Sequence, residues 1–169
     1  LSFPHHENEI AQSEAYSGKK AVNYWVHTGI LTVNSEKMGK SKGNFIIVSD
    51  LLKKYSPEQL RWFILSKHYG SSIDFTESTI SASGKGLERI NNFLFTINNV
   101  VPSKRRNEKI SALLKKLRTN FESHLHDDFN TPRAVSEVYT FVTKANQYLA
   151  EGKIGERDRE DIVSEFKKI

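Results

Sequence analysis

The sequence predicts an α/β piece followed by an α-helical bundle, with helix dominant in the chain as a whole. Two observations carry that expectation. After Thr76 the apolar residues recur at three- and four-residue intervals, as in Ile80, Leu87, Ile90, Leu94, Ile97 and Val101, the spacing of helices that each bury one stripe. Before it, VNYWVHTGILTV (22–33) concentrates β-branched and aromatic residues, which favour extended backbone. The pattern changes near residues 70–76, so two regions are expected, 1–72 and 73–169.

The elements follow in order. Residues 4–18 read as a short helix, with Pro4 suited to its first turn and Gly18 to its stop. After the extended stretch, NSEKMGKSKGN (34–44) has no apolar period and two glycines, and reads as a mobile polar loop. FIIV (45–48) is expected to be a strand. Ser56-Pro57-Glu58-Gln59 opens a helix expected to reach about Tyr69. Thr76 caps the next, which Pro102 stops. A third helix carries Ile110, Leu113, Leu117, Phe121 and Leu125. A fourth starts at Asn130-Thr131-Pro132 and carries Val135, Val138, Val142, Ala145 and Leu149, until Gly152 and Gly155 break it. Ile162, Val163, Phe166 and Ile169 mark a last amphipathic segment. Short links between such helices imply a bundle.

Composition narrows the functional classes. The 169 residues are 37% hydrophobic and 27% charged, which supplies a core and excludes long disorder. No apolar run is long enough for a membrane span. The first ten residues, LSFPHHENEI, lack the order of a signal peptide and an initiator Met, so the chain is expected to be a fragment. There is no cysteine, which excludes disulfides and all-cysteine zinc sites within the chain. The net charge of +5 tilts it toward polyanionic partners.

Two motifs bear on chemistry. His5 and Glu9 stand four residues apart, which on a helix places their Cβ atoms about 5–6 Å from each other. An imidazole and a carboxylate on one face can hold zinc, although spacing alone fits a surface pair better. Lys37, Lys40 and Lys42 fall within six residues on a glycine-bearing segment. Such a loop can fold over a polyphosphate and neutralise charge on leaving pyrophosphate, whereas composition alone favours a solvated basic turn.

Motif identity and order add a resemblance. FPHHENEIAQSEA (3–15) resembles the zinc-bearing signature of cysteinyl-tRNA synthetases. KMGKSKGNF (37–45) is similar to the KMSKS signature of class I aminoacyl-tRNA synthetases in its cysteinyl form. WVHTG (25–29) resembles the stretch ahead of that loop, and HDDFNTPRA (126–134) the signature of the helical domain that follows. Together they cover almost the whole chain.

The resemblance implies the end of a Rossmann-type class I catalytic domain followed by a helical bundle on the tRNA-binding side. It implies an ATP-dependent ligase that forms cysteinyl-adenylate and passes the cysteinyl group to its tRNA. The partners implied are cysteine, ATP with Mg as counter-ion, the tRNA for cysteine and a missing N-terminal catalytic half, in the cytoplasm and away from membranes. Zinc is the implied metal, with His5 and Glu9 matching the family's histidine and glutamate ligands. Lys37 and Lys40 match the two lysines of the signature loop, with Lys40 the ATP-phosphate contact. The family's two cysteine zinc ligands and its HIGH signature lie upstream and are not in this chain, which is therefore expected to be inactive by itself. Gly39 stands where the family has serine. Two alternatives remain: a cysteine-activating ligase of the mycothiol pathway, and a non-catalytic tRNA-binding fragment.

Other residues receive ordinary readings. Trp25 and Trp62 are expected in a core or wall, and His68, His124 and His126 at the surface. The role of His27 is open. Asp127, Asp128, Asn130 and Thr131 are expected to cap and brace a helix start. Residues 101–118 carry seven Lys or Arg against one Glu; they form a solvated face or, given the resemblance, contact RNA phosphates.

Overall fold

A computed structural model describes residues 2–169. A wide helical turn at Ser2–His6, interrupted by extended backbone at Phe3, leads into α1 (Glu7–Ser17). Gly18 ends α1 with φ +63°, its N–H donating to the Glu14 carbonyl at 2.8 Å, the left-handed stop that glycine adopts without a Cβ penalty.

The β structure is one small sheet. Strands β1 (Leu31–Val33) and β2 (Glu36–Lys37) form an antiparallel hairpin, and β3 (Ile73–Phe75) pairs parallel to β1 on its other side. Asn34 and Ser35 make the hairpin turn at φ +51° and +66°, the primed geometry that matches strand twist. The Asp74 carboxylate ties β3 to β1 and to the hairpin turn. It accepts from the Thr32 hydroxyl at 2.6 Å and from the Ser35 N–H at 2.8 Å. The Thr32 hydroxyl first, then the Ser35 amide, lower its pKa below the usual carboxylate value.

The expected strand at 45–48 is not formed. Phe45, Ile47 and Val48 are exposed with no neighbouring strand among the described residues, so the run has no ladder to satisfy its backbone. Instead the Asp50 and Leu51 N–H groups turn back to the Ile47 carbonyl, forming α2 (Val48–Leu51). Strand β3 was not expected: three residues are too few to show alternation.

The helices then build the core. In α3 (Pro57–Leu65) the Ser56 hydroxyl accepts from the Gln59 N–H at 3.2 Å. The helix stops short of Tyr69, where the Ser66 hydroxyl takes the Phe63 carbonyl at 2.7 Å. At the start of α4 (Glu77–Asn99), Thr76 and Thr79 exchange side-chain-to-amide bonds at 3.0 Å. Helices α5 (Glu108–His126), α6 (Thr131–Ala150) and α7 (Glu156–Phe166) complete the bundle.

The predicted stripes meet in one cluster. Ile90, Ile97, Ile110, Leu117, Val142, Ile154 and Ile162 are buried, and Phe93, Phe141 and Phe166 pack with ring centroids 5.7–6.1 Å apart. Gly86 lets α6 approach α4, because a Cβ there would overlap the Tyr139 hydroxyl. The buried Asp158 carboxylate accepts from the Gly155 N–H at 2.9 Å and the Asn107 N–H at 2.8 Å, joining the starts of α7 and α5. Among the described residues no helix is long and apolar enough to cross a membrane.

Candidate functional site

The lysine loop grows directly from the small sheet. Lys37 ends β2, and the following residues close on themselves through one side chain. The Gly39 N–H donates to Asn44 Oδ1 at 2.9 Å, and Asn44 Nδ2 donates to the Lys37 carbonyl at 3.3 Å. An amide is suited to this bridge because it offers an acceptor and a donor at once. Between the clamped ends, Lys40–Lys42 form a single 3-10 turn that Gly43 stops at φ +69°. The segment read as a loop therefore holds a strand, a tight turn and a two-sided clamp.

The three lysines have different surroundings. The Lys40 ammonium lies 5.6 Å from the Phe45 ring centroid, within cation–π range. Lys42 faces Glu36 at 3.8 Å, an exposed pair of small energetic weight. Lys37 and Lys40 are exposed and form no ion pair among the described residues, so both charges are available to an anion. Gly39 has φ −165°, and only the Ser41 hydroxyl, at 3.9 Å, lies near its absent Cβ. Any residue would fit there, so the departure from serine removes a hydroxyl and nothing in the backbone demands it.

His5 and Glu9 are both exposed at a four-residue spacing on the helical run into α1. His6 is engaged elsewhere. Its ring stacks on Trp25 at 4.4 Å between centroids and meets His27 edge-on at 4.8 Å. Trp25 is thus an exposed stacking partner, not a core residue, because residues 19–30 bury too little to enclose it. Among the described residues no three His, Asp or Glu side chains gather to hold a metal. One imidazole and one carboxylate suit zinc chemically but fill half of a four-ligand shell, so the chain fits zinc only as a contributor to a shared site. No hydrogen bond or ion pair joins this pair to the lysine loop among the described residues.

The basic stretch divides. Arg118 forks onto the nearly buried Glu165. Arg118 first, and its charge, lower the Glu165 pKa, and the same bond raises that of Arg118. Arg106 is held by Asp161 at 2.9 Å. Lys104, Arg105 and Lys109, with Lys153, line an open groove of about 680 Å³. Lys115 and Lys116 are exposed on the same helix.

The turn between α5 and α6 also differs from expectation. Asn130 caps α6, accepting from the Arg133 N–H at 3.4 Å. Asp128 instead reaches across to the end of α3: Tyr69 donates its hydroxyl to Asp128 Oδ1 at 2.5 Å, and His68 Nε2 lies 2.8 Å from the Asp128 carbonyl. The Asp128 bond raises the Tyr69 pKa above the ordinary phenol value. His68 and His124 are half-buried and His126 is exposed. Asn44, Phe45, Tyr69 and Asp74 were not picked out in the sequence, because single polar or aromatic residues in turns carry no periodicity.

Two protein families match parts of this chain. The family described as tRNA synthetases class I (C) catalytic domain matches residues 1–85, and the DALR domain matches residues 120–168. The Cysteine–tRNA ligase of Bacillus thuringiensis (strain Al Hakam) is 47% identical over 155 residues, covering 89% of this chain and 33% of that protein. That of Bacillus cytotoxicus is 46% identical over the same length. The chain therefore spans about a third of the length of these relatives. Among solved structures, the ternary complex of Agrobacterium radiobacter K84 agnB2 LeuRS with tRNA and LeuAMS superposes with a TM-score of 0.65 at 17% identity, covering 82% of this chain and 20% of that one. That likeness shows the fold alone; the two family matches add that it is a class I synthetase catalytic fragment with a DALR helical domain.

Proposed function

We propose, given that this chain belongs to the class I (C) tRNA synthetase catalytic-domain family, that it is the part of a cysteine–tRNA ligase that carries the signature lysine loop and the helical bundle. The intact protein would join cysteine to ATP as cysteinyl-adenylate and then transfer the cysteinyl group to its tRNA in the cytoplasm. The boundary between the two parts is proposed at residues 72 and 73. The observation that carries the reading is the Asn44-clamped loop, which presents two unpaired ammonium groups in a chain whose first half matches the synthetase catalytic domain.

The residues act as follows. Lys40, and with it Lys37, would contact the ATP phosphates, with Mg as their counter-ion. When the cysteine carboxylate attacks the α-phosphate, negative charge moves onto the departing pyrophosphate, and fixed cations stabilise that state more than bound ATP. Lys40 would exchange the Phe45 ring for a phosphate, so the loop needs only a side-chain movement to engage. His5 and Glu9 would donate one nitrogen and one oxygen to zinc, the remaining ligands coming from outside this chain. Zinc, when bound, supplies a soft acceptor that prefers a thiolate to a hydroxyl. The lysine-lined groove at the start of α5 would meet tRNA phosphates, which position an RNA without reading its bases.

Cysteine-dependent exchange of labelled pyrophosphate into ATP, followed by charging of tRNA, tests the reading on the intact protein. Lys40→Ala is expected to lower the exchange rate on the order of 100-fold while cysteine binding changes little. Transfer to an amino sugar in place of tRNA would overturn the tRNA assignment. The present chain alone is expected to give no exchange, since alignment of ATP with cysteine accounts for roughly 7–11 kcal/mol of such barriers. Turnover above a Lys37→Ala, Lys40→Ala control would overturn that expectation.

A further inference from the structure

The α5–α6 turn contains two consecutive non-glycine residues in left-handed backbone, Asp128 at φ +53° and Phe129 at φ +51°. Asp tolerates that region; Phe does so rarely. Such a conformation persists where surrounding contacts over-determine it, and it marks positions whose geometry matters. Here the contacts come from both sides: within the bundle the Phe129 N–H donates to the Leu125 carbonyl at 3.1 Å and the Asn130 N–H to the His124 carbonyl at 2.9 Å, and further contacts come from outside it. Tyr69 bonds the Asp128 carboxylate, and its ring lies 6.3 Å from that of Phe129. His68 Nδ1 accepts from the Gly70 N–H at 3.2 Å, so in the neutral ring Nε2 carries the proton and donates to the Asp128 carbonyl. The Thr131 hydroxyl adds a bond to the Lys67 carbonyl at 3.3 Å.

Of these residues, Tyr69 also bonds the segment that leads into the sheet and its lysine loop. The Gly29 N–H donates to the Tyr69 carbonyl at 2.7 Å. A Cβ on Gly29 would overlap the Ser71 carbonyl, so this approach requires glycine. Two residues later begins β1, whose partner β2 ends at Lys37, the residue clamped by Asn44. Packing brings these parts together as well: Trp62 donates to the Tyr139 hydroxyl at 2.9 Å and Gln59 Nε2 to the Ile80 carbonyl at 3.0 Å, so the Tyr69 contact adds to an α3 already seated on α4 and α6. Beside the latch, α3, β3, α4 and α6 enclose a space of about 420 Å³ between Trp62, Phe63, Ile73, Val135 and Tyr139.

We infer that Tyr69 and His68, by gripping the Asp128–Phe129 turn, are positioning residues that hold the helical bundle at a fixed angle to the lysine loop, so that RNA carried on the bundle presents its acceptor end to the adenylate. The inference rests on the ligase reading and adds a role that neither the loop nor the basic groove supplies. It separates the two half-reactions: adenylate formation uses the loop without regard to the angle of the bundle, whereas transfer needs the loop and the bundle in register.

Two measurements test it. In the intact ligase, Tyr69→Phe is expected to leave cysteine-dependent pyrophosphate exchange within about twofold and to lower kcat/KM for tRNA about tenfold, the weight of a hydrogen bond to a charged group. Asp128→Asn is expected to have a similar effect that does not add to it. Equal losses in both half-reactions, or no loss in either, would overturn the inference. An unmodified ligase that fails to exchange would instead refute the ligase reading. The second measurement needs no activity. In isotope-labelled chain, Asp128→Asn and Tyr69→Phe should shift the same amide resonances, at Gly29, Leu31–Val33 and Gly39; unmoved resonances would overturn the transmission by themselves.

Discussion

Residues 2–75 and residues 76–169 solve the problem of folding in different ways. In the second region fourteen apolar side chains are buried, thirteen on α4, α5, α6 and α7 and one, Ile154, on the link before α7. In the first, Val33 and Phe63 are the buried apolar side chains among the described residues, while Tyr16, Tyr24, Val26, Ile30, Ile47, Val48, Leu52 and Ile64 are exposed. Burial contributes about 25 cal/mol per Å² of apolar surface removed from water, so the bundle carries most of the stability. The first region is held by polar bonds at a few points: Asp74 across the sheet, Asn44 across the loop, Tyr69 at the junction. The residues proposed to carry the chemistry sit in the region with little core, where local opening is least costly.

The largest test of this contrast is a cavity in the bundle. Phe141→Ala is expected to cost about 3–5 kcal/mol, read as a fall in the helical denaturation midpoint. Ile47→Ser, at an exposed position, should stay within about 0.5 kcal/mol. A comparable loss from Ile47→Ser would mean that the first region buries a core of its own around Ile47. Gly29→Ala comes next. Overpacking costs typically about 1–3 kcal/mol, and here the overlap is with backbone, which cannot rotate away. Hydrogen exchange should accelerate at Leu31–Val33 and Ile73–Phe75 while the α6 amides stay protected. Acceleration across α6 as well would mean that the two regions unfold as one.

The smallest expected effect is on pH. Asp74 has a lowered pKa in the folded state, so its contribution is present above the unfolded carboxylate value and is lost as pH falls through the folded one. Glu165, lowered by Arg118, obeys the same sign in the bundle. Acidification below the usual carboxylate range should therefore loosen the sheet through Asp74 and the α5–α7 contact through Glu165. Thr32→Val should remove most of the sheet's acid sensitivity, followed by the β1 and β3 amide signals. A sheet that keeps its acid response in Thr32→Val would assign it to another group.

How much was legible follows the same division. The helices after Thr76 were readable because burial imposes a period on the sequence: Ile80, Ile90 and Ile97 line up only if the segment is helical. Caps at Ser56, Thr76 and Asn130 were readable because a side-chain oxygen does the work of a missing turn. The strand expected at 45–48 was misread because β-propensity describes a half-buried surface, and Ile47 has none to pack on. The Asp128–Tyr69 bond was illegible because Asp in a helix-start signature has an ordinary capping role, and nothing local shows that its carboxylate reaches 59 residues back along the chain. The lysines were conspicuous by charge; the Asn44 that shapes them was not.

The stacked pair at the head of the chain has an optical consequence. Trp25 lies parallel to the His6 ring, and His6 is the covalent neighbour of His5. An indole's emission is quenched by a nearby imidazolium and responds to rotation of its partner ring. A metal ion drawing His5 and Glu9 together would twist the same helical turn and move His6 against the indole. Trp25 is therefore a native fluorophore beside the half-formed ligand pair. Since Trp62 is tethered to Tyr139 at 2.9 Å and far along the chain, a Trp62→Phe background would leave Trp25 as the single indole of these 169 residues with which to follow a zinc titration.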